Sequence, residues 1–345
     1  MIFRQLFDSV SSTYSYILAS RKGGEALIID PVLEKVDRYL QLFDELDVKL
    51  VKAIDTHLHA DHITGLGALR DRTLCVTVMG EQTKADVVSM RVSDGDTVDI
   101  KGLQLGVIYT PGHTDDSYSF TLHDRVFTGD TLLIRGTGRT DFQNGDARAQ
   151  YESIFNRLLK LPDDTLVYPA HDYKGETVST IAEERAFNPR LQVKTVDEYV
   201  DLMSKLDLPD PKMMDIAVPA NVRVGLSQDE IAKRGWALKA AELASQLNRT
   251  DVAIVDLRED RERSKYGEIP GSVHVSYDSV PDALKPGGLL RELGSTKSLV
   301  FYCAFGERSA MAVQRAREAG LTCAQHLEGG FSAWQKAEGH APADK

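Results

Sequence analysis

The sequence predicts an α/β protein built as two domains. Three observations carry that reading. The chain has 345 residues, and single cores stop growing near ~250–300. Up to about residue 225 it reads as short strands broken by turn signals with helices between. From about Trp236 strands and helices alternate over the remaining ~110 residues, the pattern of a small domain with a parallel sheet. A hydrophobic content of 42% and a charged content of 27% exclude a disordered chain, a collagen and a disulfide-stapled miniprotein. No apolar run approaches the ~18–20 residues of a membrane helix. The opening Met1-Ile2-Phe3-Arg4-Gln5 lacks the form of a signal peptide. Neither a membrane partner nor export is therefore expected. A net charge of −11 argues against nucleic acid. Cys75, Cys303 and Cys323 are too few and too scattered for a disulfide framework, so the expected setting is the reducing cytoplasm.

In the first domain, residues 49–56 read as a strand that feeds into His57-Leu58-His59-Ala60-Asp61-His62. Three histidines within six positions exceed what nine histidines in 345 residues would give. An extended segment would put His57 and His59 on one side, and the following turn would bring Asp61 and His62 back to the same point. Imidazole with carboxylate is what a transition metal asks for. His113 follows the strand 106–110 and the turn Pro111-Gly112. Asp130 follows the strand 125–128 and Gly129, and His171 follows the strand 165–168 and Pro169-Ala170. Each leaves a strand end, where a rigid scaffold can aim loop residues at one site. His123, in Leu122-His123-Asp124, lacks this context and reads as an ordinary loop residue. Taken singly, each histidine would be a surface or core residue; the recurrence makes the set. By residue type alone, five histidines and two aspartates could hold two ions.

The prolines of Leu208-Pro209-Asp210-Pro211 and Val218-Pro219-Ala220-Asn221 remove donors and end helices. They suit the closing segment of a domain spanning 1–225, followed by a linker at 226–235. In the second domain, 236–345, Val252-Ala253-Ile254-Val255-Asp256 and Leu299-Val300-Phe301-Tyr302 read as buried strands. Residues 240–247 and 309–319 read as helices. The segment Cys303-Ala304-Phe305-Gly306-Glu307-Arg308-Ser309 is then a six-residue loop entering a helix. Such a loop can turn its backbone N–H groups around the cysteine sulfur. The helix N-terminus and the Arg308 cation favour a thiolate, the nucleophilic form. The same nest could cradle a persulfide or the oxygens of thiosulfate. Cys75 and Cys323 have no such setting and read as packing residues.

The H-x-H-x-D-H run, followed by Gly-His, Gly-Asp and Ala-His, resembles the metallo-β-lactamase fold family. Residues 134–143 (Ile-Arg-Gly-Thr-Gly-Arg-Thr-Asp-Phe-Gln), Tyr168-Pro169-Ala170-His171-Asp172-Tyr173 and Ala217-Val218-Pro219-Ala220-Asn221 are similar to its persulfide dioxygenase branch. The resemblance implies an αββα sandwich with one non-haem Fe(II) per chain held by His57, His113 and Asp130. It places His59, Asp61, His62 and His171 around those ligands rather than on the metal. It implies oxidation of glutathione persulfide with O₂ to sulfite and glutathione. A facial set of two histidines and a carboxylate leaves positions open for O₂ and substrate, whereas zinc has no redox chemistry. An anionic substrate on a chain at −11 needs positive charge focused locally. Arg139, Lys174, Arg185 and Arg190 are placed to supply it, with Thr140 and Tyr173 as donors; Arg139 and Tyr173 flank metal-side motifs.

Asp256-Leu257-Arg258-Glu259, Gly267-Glu268-Ile269-Pro270-Gly271-Ser272 and Leu327-Glu328-Gly329-Gly330-Phe331-Ser332-Ala333-Trp334 resemble rhodanese landmarks, with Cys303 at the catalytic position. One departure is Glu268, where a histidine is usual. The order of modules is similar to that of bacterial persulfide dioxygenase–rhodanese fusions. It implies transfer of sulfane sulfur between thiosulfate and glutathione through Cys303. The expected partners are glutathione, glutathione persulfide, O₂, thiosulfate and sulfite; whether the chain is a homodimer is left open. A two-metal thioesterase of the glyoxalase II type shares the ligand pattern, but its helical C-terminal region is missing and a rhodanese partner makes no sense of it. A sulfide-responsive binding module would not need an intact Cys303 loop.

Overall fold

The computed structural model describes residues 1–85, 88–142, 144–206, 214–222, 228–247 and 249–338. Pro209 and Pro211 lie outside the described residues, as do Gln143 and residues 226–227 of the expected linker. The chain divides into two compact units, residues 1–86 with 90–224, and residues 87–89 with 225–345.

The first unit holds two six-stranded sheets. One runs β1 (Ile2–Asp8), β2 (Thr13–Ala19), β3 (Glu25–Ile29), β4 (Lys49–Ile54), β5 (Val76–Gly80) and β6 (Met90–Val92) in chain order. Its first three strands are antiparallel and the rest join in parallel. The second is assembled from β7 (Thr97–Ile100), β8 (Leu103–Tyr109), β9 (Tyr118–Thr121), β10 (Arg125–Gly129), β13 (Leu166–Pro169) and β14 (Ser179–Thr180) in the order β14-β13-β10-β9-β8-β7. A short hairpin of β11 (Leu132–Leu133) and β12 (Gly136–Thr137) sits beside it.

Period-two alternation explains how the sheets are covered. Phe127 and Tyr168 face inward and join Tyr16, Leu18, Ile54, Val78, Val107 and Phe120 in one core between the sheets. Their neighbours Val126 and Val167 face outward and pack with Ile154, Leu158, Ile181 and Tyr199 from the covering helices. On the other side, helix Val36–Glu45 buries Val36, Tyr39, Leu42 and Phe43. This is the expected αββα sandwich. Every candidate ligand leaves the end of β4, β8, β10 or β13.

The second unit is a five-stranded sheet of β15 (Ala237–Leu238), β16 (Val252–Asp256), β17 (Val273–His274), β18 (Ser298–Tyr302) and β19 (Gln325–Leu327). The order is β15-β19-β18-β16-β17, and all the pairings are parallel. Its central strands read as apolar runs because helices cover both faces; Leu243, Phe331 and Trp334 close the core.

Three local expectations change. Pro219 does not end a helix: it lies inside helix Met214–Val222. A proline removes one intrahelical bond, and the helix is pinned two residues later by Asn221. Helix Gln228–Lys233 occupies much of the stretch expected to be linker. The helix after Cys303 runs Glu307–Glu318, so the loop is 303–306 and Glu307, Arg308 and Ser309 form the first helical turn. Gly306, at φ +98°, caps it, a conformation glycine adopts readily.

Candidate metal centre and cysteine loop

The segment after β4 is a series of bends rather than extended chain. It nonetheless brings the His57 and His59 rings within 4.2 Å, centroid to centroid, and sends them to different groups. His57, His113 and Asp130 form one group, and His59, Asp61, His62 and His171 form another.

In the first group, His57 Nε2 lies 4.0 Å and His113 Nε2 3.6 Å from Asp130 Oδ2. These spacings exceed a hydrogen bond but match donor atoms about 2.1 Å from a shared ion. The other nitrogens are committed. His113 Nδ1 lies 2.7 Å from the Arg139 carbonyl, which can only accept, so Nδ1 carries the proton and Nε2 a lone pair. His57 Nδ1 lies 2.9 Å from Thr56 Oγ1. That hydroxyl donates to Asp30 Oδ2 at 3.1 Å, so it accepts from His57. Burial, then the neighbouring His59, push His57 well below its ordinary value, which keeps the ring neutral. Burial alone would raise the Asp130 carboxyl; His171, His113 and His57 outweigh it and hold Asp130 below the usual carboxylate range. Two imidazoles and a carboxylate facing one point suit a divalent metal.

In the second group Asp61, His62 and His171 are bonded to one another. His171 Nδ1 lies 2.7 Å from Asp130 Oδ1 and its Nε2 2.8 Å from Asp61 Oδ2. Asp61 Oδ2 also meets His62 Nδ1 at 2.9 Å. The Thr13 hydroxyl sits among them, 3.1 Å from Asp61, 3.3 Å from His62 and 3.1 Å from His171. His59 Nε2 lies 3.1 Å from Asp30 Oδ1. His59 Nδ1 and His62 Nε2 are buried without a hydrogen-bond partner. Residue type alone therefore does not separate a one-ion site from a two-ion site, but hydrogen bonding does distinguish the two groups.

Two residues with a part in this geometry carried no separate signal of their own. Asn221 donates to the His59 and His62 carbonyls at 3.0 and 2.8 Å and accepts from the Thr64 N–H at 2.9 Å, tying the ligand loop to its helix. Gly138 lies so close to the ligands that a Cβ there would sit 2.1 Å from the Asp130 carbonyl and 2.8 Å from His113 Nδ1. Both stood in quoted motifs; only the fold shows what they touch.

A cavity of about 220 Å³ opens on Asp130, His113, Asp61 and His171, and is lined also by Arg139, Phe142, Tyr173, Lys174 and Arg190. Arg139 is a two-pronged partner of Asp141, at 2.6 Å for each bond, and lies over the Phe142 ring. Arg190 donates to the Thr137 carbonyl and hydroxyl; among the described residues no carboxylate pairs with it. Tyr173 is stacked on His171 and is otherwise exposed. Thr140 is not among the residues lining this cavity. Arg185 is spent on Asp163 and on the Leu159 carbonyl, because helix Ile181–Phe187 faces it that way. His123 is an exposed loop residue.

In the second unit Cys303 is buried at the end of β18. The Gly306 N–H points at its sulfur from 3.1 Å. Ala304 and Phe305 complete the loop, and a Cβ at Gly330 would collide with its backbone. Arg308 differs from expectation: its guanidinium is bound by both Glu262 oxygens, at 2.8 and 2.6 Å, and that ion pair holds it above its ordinary value against the cost of burial. Its charge is met first by Glu262, and Cys303 lies close enough to act on it in the same direction. Cys75 is buried as expected, but Cys323 is exposed in a turn rather than packed. Glu268 pairs with Arg263.

Comparison with known proteins agrees with both halves. Residues 9–87 and 80–171 match the metallo-beta-lactamase superfamily and residues 239–337 the rhodanese-like domain. A solved metallo-beta-lactamase from Staphylococcus aureus shares the fold over 95% of this chain and 98% of its own, with a TM-score of 0.61 and 21% identity. The molecule is thus a metallo-β-lactamase-fold domain with a His/Asp metal-binding site, joined to a rhodanese domain. More particularly, the human mitochondrial persulfide dioxygenase ETHE1 is 46% identical over 229 residues, covering 66% of this chain and 89% of the relative. The crystal structure of ETHE1 from Myxococcus xanthus is 55% identical, covers 64% of this chain and 98% of its own, and has a TM-score of 0.63. The chain belongs to the ETHE1 persulfide dioxygenase family, with a rhodanese domain added at its C-terminal end. No helix among the described residues is long and apolar enough to cross a membrane.

Proposed function

We propose that the first unit oxidises glutathione persulfide with O₂ and water to glutathione and sulfite at one Fe(II) per chain. We propose further that the second unit passes sulfane sulfur between thiosulfate and glutathione through Cys303. The observation that carries the reading is the group of His57, His113 and Asp130, its metal-facing atoms free of hydrogen bonds, beside a cavity rich in cations. A bound iron supplies redox chemistry toward O₂ that zinc lacks. The chain's own residues do the rest. Arg190, without a carboxylate partner among the described residues, and Lys174 draw in the anionic tripeptide; Arg139, paired with Asp141, contributes less. Tyr173 offers its phenol at the cavity mouth, and Phe142 lies edge-on to His113, shielding its ring. Overall the persulfide S–S bond breaks, the outer sulfur is oxidised to sulfite, O₂ is reduced and the thiol is restored. In the second unit the Cys303 thiolate takes the outer sulfur of thiosulfate, releasing sulfite, and a glutathione thiolate then takes that sulfur and restores Cys303. All three cysteines are free, which suits a reducing compartment such as the cytoplasm.

Metal content measured alongside O₂ uptake tests the reading. Close to one iron per chain, with O₂ consumed on glutathione persulfide, is expected. His57→Ala, His113→Ala and Asp130→Ala should each lose both. The unpartnered nitrogens of His59 and His62 favour a two-metal hydrolase as the second reading; two zincs per chain with hydrolysis of S-acyl glutathione would establish that one instead.

A further inference from the structure

A buried histidine beside the cysteine loop takes no part in the sulfur-transfer scheme above. His326 lies on β19, paired in parallel register with Phe301 of β18, two residues before Cys303. It is fully buried, and its Nε2 has no hydrogen-bond partner. Its Nδ1 lies 3.3 Å from Ser309 Oγ. Ser309 Oγ in turn lies 3.0 Å from the Gly306 carbonyl and 3.7 Å from Cys303 Sγ, within hydrogen-bond reach for sulfur. The three side chains form a continuous buried line ending at the nucleophile.

The proton on the ring can be placed by counting donors. Burial pushes His326 down to about 4 and outweighs the opposing pull of the Leu327 and Gly306 backbone, so the ring is neutral and carries one N–H. Put on Nε2, that N–H would be a buried donor with no acceptor, which native structures avoid more strictly than a bare acceptor. Put on Nδ1, it donates to Ser309 Oγ. The hydroxyl's own hydrogen is then left two acceptors, the Gly306 carbonyl and the Cys303 sulfur. While Cys303 is a thiol, its S–H points at Oγ and the hydroxyl serves the carbonyl. Once the sulfur is an anion, the hydroxyl can rotate onto it with no movement of heavy atoms. The Gly306 N–H and this hydroxyl are both within hydrogen-bond reach of the sulfur, and Arg308, held by Glu262, adds its charge nearby.

We propose that His326 is a positioning residue for sulfur transfer, fixing Ser309 so that its hydroxyl steadies the Cys303 thiolate. This rests on the sulfurtransferase reading of the second unit. Full-length chains carrying Cys323→Ser, to remove the exposed thiol, are compared for thiosulfate turnover with cyanide and for the rate at which iodoacetamide labels Cys303 at pH 7. Losing a hydrogen bond to a charged group should lower kcat and labelling rate about tenfold to a hundredfold in His326→Leu. KM for thiosulfate should stay nearly constant, because the ring lies behind the sulfur. His326→Asn, whose side-chain amide can present an N–H near the Nδ1 position, should recover most of the loss. Ser309→Ala should match His326→Leu, and the double variant should be no worse than either single one. Full activity in His326→Leu, no recovery in His326→Asn, or losses that multiply in the double variant would each overturn the proposal. Should His326→Leu fail to fold, Ser309→Ala and His326→Asn still decide: Ser309→Ala with unchanged labelling rejects it. If the parent chain turns over no thiosulfate, the sulfurtransferase reading falls, and the labelling rates alone judge His326.

Discussion

Asp61 and Asp130 stand within one hydrogen-bond network and yet are prepared for different work. Asp130 keeps Oδ2 turned toward two imidazole lone pairs, while Asp61 Oδ2 is taken by His62, His171 and Thr13. Asp61→Asn should therefore keep much of the iron and lose about 10–100-fold in affinity or activity, as partners of ligands do. Iron analysis checks this: loss as complete as in Asp130→Ala would make Asp61 a ligand. Gly138→Ala should weaken the metal site, since its Cβ would meet the Asp130 carbonyl, which cannot swing aside. The expected outcome is a folded chain, by circular dichroism, with iron reduced at least tenfold, of the order seen when ligand surroundings are disturbed. The candidate ligands could be picked out in the sequence because their residue types are scarce and recur after strands. Asn221 could not, since its partners are backbone groups 157–162 residues away and backbone groups leave no signature. Arg185 shows the opposite case: its charge is visible in sequence, but its pairing with Asp163 is not.

At the level of elements, the loops at the site are held by helices whose ends are well capped. Thr180 and Glu183 form a reciprocal capping box at the start of helix Ile181–Phe187. The same helix sends buried Glu184 to the Arg135 backbone and side chain and to Asn188, fixing the β11–β12 turn that lines the cavity. Thr180→Ala should cost about 1 kcal/mol, read from the urea midpoint, with no loss of iron. Asn221→Ala should cost more, about 3 kcal/mol, because it strands buried backbone groups, and it should weaken metal binding as well. Strands are legible where apolar residues alternate or run together, as at 252–256 and 299–302. Helix limits are less so. By propensity Pro219 is a stop, but propensity ignores the tertiary anchor that Asn221 provides. The start at Glu307 was placed late because the positive φ of Gly306 shows only in the folded loop.

Across the whole molecule, each unit carries its own site, and two consequences follow. First, an ion that joins loops from β4, β8 and β10 stabilises only the folded chain. Stripping it with a chelator should lower the Tm of the first unit's transition by about 10 °C, taking ~4 kcal/mol for an ion held a thousandfold above its Kd. Unchanged melting would mean that the metal is not held by these loops. Second, the chemistry of the two sites meets in one compound: sulfur transfer from thiosulfate to glutathione makes the persulfide that the metal site is proposed to consume. Because that product is small and soluble, the two domains expressed apart and mixed should recover most of the coupled rate. An inactive mixture of two active halves would mean that the product does not pass through solution.

The most direct measurement is O₂ uptake by the intact chain supplied with thiosulfate and glutathione, compared with the Cys303→Ser variant. Steady uptake with sulfite accumulating is expected. Cys303→Ser should abolish this uptake and leave oxidation of added glutathione persulfide intact, since every proposed iron ligand lies in the first unit. Thiosulfate-driven uptake that survives Cys303→Ser unchanged would contradict it.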